Sequence, residues 1–190
     1  MRHRKRAEVS DVVRRVVGDR GRVMRFRDLP REAKYALVQY MGVDGYAWPD
    51  VAEQLEVRYH YDSAIEEWVR GDRTGRSVSW TTVLDDVLPY VEAHYGDRLF
   101  GYAVVPMSAL TSSIMDDPEL KEEFPSGSFD EFHARYMGPG GVEEHPVARR
   151  WPVILSSEDE HEETLQDGWH RLNDYYRQGA RTVPVVYYVD

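Results

Sequence analysis

Near the C-terminus, Asp167, Gly168, Trp169, His170 and Arg171 set an acid, a glycine, a titratable ring and a guanidinium where a helix is predicted to begin. Leu172 and Tyr175 or Tyr176 recur behind them at helical spacing, and Gly179 ends the helix, which puts Asp167 near its N-cap. The first-turn amides of a helix have no acceptor within it and point at whatever lies in front, so such a turn is an anion site. Gly168 lets the main chain approach a ligand closely, and Arg171 can offer a planar, permanently charged fork to a phosphate. His170 can donate a hydrogen bond or move a proton near neutral pH. The same residues also have a purely structural reading. Asp-Gly is a common turn, and a His-Arg pair can be solvated or bonded to nearby carboxylates.

Other groups bear on phosphate chemistry. Phosphoryl transfer uses Mg²⁺ and often a base for the attacking hydroxyl. Asp116 and Asp117, and the acids among residues 158–163, stand where one of them could face the turn, and the spacing selects none. Ser108, where the first clear strand ends, suits a hydrogen bond to a nucleotide and equally a helix cap. The stretch GDRTGRS at 71–77 is not a P-loop, because it is one residue short, has Arg76 for the lysine and follows no apolar strand. The seven histidines form no zinc-type pair, and the absence of cysteine removes disulfides, thiolate metal sites and cysteine nucleophiles. Trp48, Trp68 and Trp80 suit helix packing better than a base-stacking surface.

The elements that must position these groups fall into two halves. Helices are predicted at 11–17 with Ser10 as cap, at about 29–41 with Asp28 as cap, in WPDVAEQLEV and DSAIEEWVRG, and at about 79–95 with Pro89 as a place for a kink. From Phe100 the pattern changes. LFGYAVVP reads as a strand; SIMDDPELKEEF and SFDEFHARYM read as short helices, the second capped at Ser128 or Asp130. The GPGG of residues 138–141 reads as a mobile loop, and residues 151–155 and 182–189 read as two further strands. The prediction is an α+β protein, with a helical region and basic arm over residues 1–98 and a small mixed-sheet domain over 99–190.

In their order, VVPMSAL, WPVIL, DGWHR, YYRQGA and TVPVVYYV resemble the ParB/sulfiredoxin-like superfamily over residues 100–190, about half the chain. The resemblance implies binding of nucleotide phosphates by Gly168, Trp169, His170 and Arg171 with Ser108 nearby, and Asp167 close to a Mg²⁺ or to the acceptor hydroxyl. It implies ATP or CTP as ligand and phosphoryl transfer or NTP hydrolysis as reaction, with Asp167 and His170 as the catalytic pair. Sulfinate reduction is not expected, because Trp169 stands where sulfiredoxins place their cysteine. Centromere clamping is not expected either: the loop lacks the GERR form, and no DNA-binding helices follow it before Asp190. The DG-x-HR form is closer to the kinase and NTPase branches.

Charge points to further partners. Residues 1–31 hold eleven Arg or Lys against four acids, a balance of +7, so the rest carries −17 within the net −10. An acidic body repels nucleic acid while a basic arm attracts it, so DNA contact through the arm and a protein partner on the acidic surface, of the kind a phage or mobile-element protein would use, are both expectations. No run of eighteen apolar residues and no apolar segment behind MRHRKR occur, which predicts no membrane span, no signal peptide and a cytoplasmic setting.

Overall fold

The computed structural model of the chain describes residues 9–43, 47–51, 53, 80–137, 150–157 and 163–189. Outside them lie the first eight residues of the arm, DSAIEEWVRG, GDRTGRS, GPGG, residues 158–162, His3, His60, His145, His161 and Trp68, together with the Trp80 and Val83 side chains. The chain divides into two compact units, Met1–Met24 with Leu99–Asp190, and Arg25–Arg98. Residue 98 closes one unit, while the opening segment belongs with the second half of the chain.

The reason is α1 (Asp11–Val17), which Ser10 caps by accepting the Val13 amide at 3.2 Å. Its four valines, Val12, Val13, Val16 and Val17, are buried in the same apolar core as Ala103, Val105, Leu110 and Ile114. A mixed five-stranded sheet carries that core. Its strands are β1 (Arg22–Arg25), β2 (Leu99–Pro106), β3 (Val153–Leu155), β4 (Leu165–Asp167) and β5 (Thr182–Tyr188), in the order β1-β2-β5-β3-β4. β2 and β5 run antiparallel from Phe100↔Tyr188 to Pro106↔Thr182. β3 lies parallel to β5 through Val153↔Val185, and β4 returns antiparallel to β3 through Ile154↔Asp167. The protein is therefore α+β, as expected from the switch in periodicity.

β2 buries Ala103 and Val105 and exposes Val104, the alternation of a half-buried strand. Between β2 and β3 come α2 (Met107–Ile114), α3 (Pro118–Glu123) and α4 (Phe129–Phe132). Asp117 caps α3 by accepting the Glu119 and Leu120 amides, and Ser128 caps α4 by accepting that of Glu131. The last helix, α5 (Trp169–Arg177), joins β4 to β5. β1 and β4 were not legible as strands; β4 starts three residues before the predicted helix.

In the other unit, helix α6 (Arg31–Val38) and helix α7 (Trp80–Tyr95) bury Ala33, Leu37, Leu84, Val87 and Val91. Pro30 rather than Asp28 occupies the N-cap of α6, and α7 runs on through Pro89. Trp48 meets Phe26 edge-on at 5.6 Å and stacks on Tyr95 at 4.7 Å, so it is a core residue. Asp85 of α7 accepts hydrogen bonds from Arg31, at 2.5 Å, and from Tyr35. Burial pushes its carboxyl up, but these bonds outweigh burial and hold it below the ordinary carboxylate value. Burial and the bond to Asp85 push Tyr35 up to about 12. A carboxylate held low when folded adds stability that is present above its unfolded pKa and lost as pH falls through the folded one. Acid titration followed by circular dichroism should therefore show wild type losing stability faster than Asp85→Asn as pH falls below about 4; parallel curves would remove this role.

Candidate functional site at the β4–α5 turn

β4 ends at Asp167, and Gly168 turns the chain into α5 with φ 103° and ψ 22°. Such a φ is left-handed territory that side chains rarely adopt. A Cβ at this position would also lie 3.1 Å from the Val153 Cα and 3.1 Å from Arg171 Nε, so a side chain here would be crowded as well as strained. Gly168, not Asp167, is the N-cap, and no side chain caps the helix. A left-handed residue followed by helical ones curls successive amides into a concavity that favours anions, and the helix dipole adds to it. His170 is exposed in the first turn and Trp169 is half-buried.

Arg171 has a different place from the one its type suggests. It is 5% exposed, donates from one Nη to the Pro152 carbonyl at 2.6 Å and pairs through the other with Asp167. One turn on, Tyr175 donates to the Trp151 carbonyl at 3.2 Å. At i and i+4 the two residues share a helix face, so together they rivet the chain leading into β3 to α5. The guanidinium is thus turned toward the protein, with Asp167 as its acid partner.

Ser108 is exposed in the first turn of α2, where Pro106 holds the N-cap position, so the serine is not the cap. Because Pro106 pairs with Thr182 while β3 and β4 present Val153 and Asp167 toward the same end, Ser108 and Gly168 share one end of the sheet. β5 and β3 lie between their strands, which separates them by about 14 Å across the sheet. Asp117 is engaged as a cap and Asp116 pairs with Lys121 at 2.8 Å. Among the described residues no three acids or histidines converge as a metal site would require.

One cluster escaped the sequence reading. His133 Nε2 lies 2.5 Å from Asn173 Oδ1, its ring sits 4.8 Å from that of Tyr176, and Tyr176 donates to Asp130. The hydrogen bond to the Asp130 carboxylate, with burial, pushes the Tyr176 phenol up to about 12. The helical stripe Trp169, Asn173, Tyr176 was its available signal, and it faces α4. No family model, curated protein or solved structure matches this chain. Among the described residues no helix is long and apolar enough to cross a membrane. Fold and site together define an α+β protein with a five-stranded mixed sheet and an uncapped, glycine-led helix at one end of it.

Proposed function

We propose that the Gly168 turn binds the phosphates of a nucleoside triphosphate, ATP or CTP, in the manner of ParB/sulfiredoxin-like proteins. The observation that carries this reading is the left-handed Gly168 in front of a nine-residue helix that no side chain caps. The amides of the first turn hold the anion, and exposed His170 donates to it and orients the transferred group. Arg171 is a positioning residue in this scheme. By binding Asp167 and the Pro152 carbonyl it fixes the turn, a role different from the phosphate fork expected of it. Ser108, about 14 Å away at the same end of the sheet, serves the nucleoside end of the ligand and not its phosphates.

Mg²⁺ would neutralise phosphate charge and template the reaction, which is phosphoryl transfer or hydrolysis. Asp167 is the carboxylate beside the turn and is shared with Arg171, so it suits a cation that draws most of its ligands from phosphate and water. Calorimetric titration with ATP, CTP and GTP in Mg²⁺ should show micromolar binding by wild type. His170→Ala should weaken it about tenfold without shifting the melting temperature, because the ring is exposed. Folded protein that binds no nucleotide would remove the reading.

A second reading, partner binding on the acidic body, is favoured by the inward-turned Arg171 and by the stretch 116–137, which holds seven acids against two bases. DNA contact through the arm is a third. Its test deletes residues 1–8 only, since α1 supplies four buried valines to the core.

A further inference from the structure

An open apolar groove of about 350 Å³ lies beside the first turn of α5, lined among the described residues by Leu120, Phe132, Tyr136, Met137 and Trp169. Four helical segments meet there: Leu120 comes from α3, Phe132 ends α4, Tyr136 and Met137 lie in the wide helical turn at His133–Met137, and Trp169 begins α5. The Phe132 ring stands 5.5 Å from Tyr136 and 6.1 Å from Trp169, which makes the walls aromatic. Tyr136 keeps 55% of its surface exposed although it is large and apolar. Its hydroxyl donates to Glu123 Oε1 at 2.6 Å and so is turned to the acidic helix.

The surroundings are negative. α3 carries exposed Glu119, Glu122 and Glu123 around Leu120, and Asp130 and Glu131 precede Phe132. The two bases of the stretch are both matched by acids, Lys121 by Asp116 at 2.8 Å and Arg135 by Glu123 at 3.0 Å. A nucleobase would bring phosphates into this field and would find little on the walls to read its edge. A second copy of the chain, itself at −10, would meet like charge. An apolar side chain held between lysines or arginines meets both the walls and the rim favourably.

We propose that the groove holds one aromatic or large aliphatic side chain of a Lys/Arg-rich segment of a partner protein. The proposal rests on the partner-binding reading above and gives that partner its chemistry. Burying the anchor supplies the affinity, and the acidic rim selects its flanks and speeds encounter.

The test selects displayed random peptides on the full chain, then measures the enriched sequences by fluorescence anisotropy against wild type, Tyr136→Ala and Leu120→Ala. Enriched peptides should share an apolar position flanked by basic residues. Changing that position to alanine, or Tyr136→Ala in the protein, should each weaken binding about tenfold, and affinity should fall as salt rises. Tyr136 is exposed enough for its replacement to leave the fold intact, which circular dichroism checks, and Leu120→Ala tests the opposite wall. Cationic peptides that bind both variants as tightly as wild type would move the contact elsewhere on the acidic surface, sinking the groove while the partner reading stands. No cationic enrichment would sink both. Displacement of the peptides by ATP, or self-association that Tyr136→Ala abolishes, would give the groove to a nucleobase or to a second copy instead.

Discussion

Arg171→Ala is expected to cost about 2–4 kcal/mol of stability, measured as a shift in the urea midpoint at unchanged slope. The side chain is 5% exposed, and its removal strands two acceptors, the buried Pro152 carbonyl and the Asp167 carboxylate. Most of the loss comes from leaving those groups without a donor, since the net worth of the bonds themselves is small. The Asp167 side chain is 34% exposed and recovers some water, which keeps the figure below that of a fully buried pair. Arg171→Lys should restore under half of the loss, because an ammonium is a point charge and cannot bridge carbonyl and carboxylate as a planar fork does. Combining Arg171→Ala with Asp167→Ala should cost less than the sum of the two alone by about 1–2 kcal/mol. Strict additivity, or a wild-type midpoint in Arg171→Ala, would show that the guanidinium does not hold the turn. The same series bears on function. A positioning role predicts that nucleotide affinity and stability fall together in Arg171→Ala, whereas His170→Ala lowers affinity alone.

Gly101→Ala should destabilise the sheet by about 3 kcal/mol through overpacking and the displacement of a buried ring. Gly101 of β2 stands opposite Tyr187 of β5, whose ring is 4% exposed. A Cβ at Gly101 would fall 1.9 Å from Tyr187 Cε2 and 2.0 Å from its Cζ, in the middle of the ring rather than at a flexible end. The far side is closed too, because the Tyr187 hydroxyl would lie 2.2 Å from a Cβ at Gly21. The ring therefore crosses two glycines and cannot slide along the strand to make room. Once the ring is removed, the added methyl should be tolerated: in a Tyr187→Ala background Gly101→Ala should cost less than about 1 kcal/mol. Thermal melts of the four proteins decide it, and an equal cost in both backgrounds would place the strain elsewhere.

These two residues show where reading the chain succeeds and where it stops. Local chemistry was legible. The Ser10 and Ser128 caps form hydrogen bonds within three residues of themselves, and β2 and β5 follow from their aromatic and β-branched composition. The switch from helical to strand periodicity at residue 99 and the glycine in front of the last helix depend on neighbours in sequence, so the α+β class follows from the chain alone. What lay beyond reach depends on neighbours in space. β4 is three residues long, two of them polar, and becomes a strand because β3 offers it a hydrogen-bonded edge. A guanidinium behind Asp-Gly looks the same whether it faces a phosphate or a carbonyl, and the Pro152 carbonyl that takes it comes from the strand across the hairpin. The aromatic groove gathers side chains from residue 120 to residue 169, a juxtaposition no spacing encodes. Periodicity and capping act over a few residues, so sequence alone determined the helices and the long strands; burial and pairing act across the fold, so only the tertiary structure decided the short strands, which side of Arg171 meets the protein and where an apolar surface stays open.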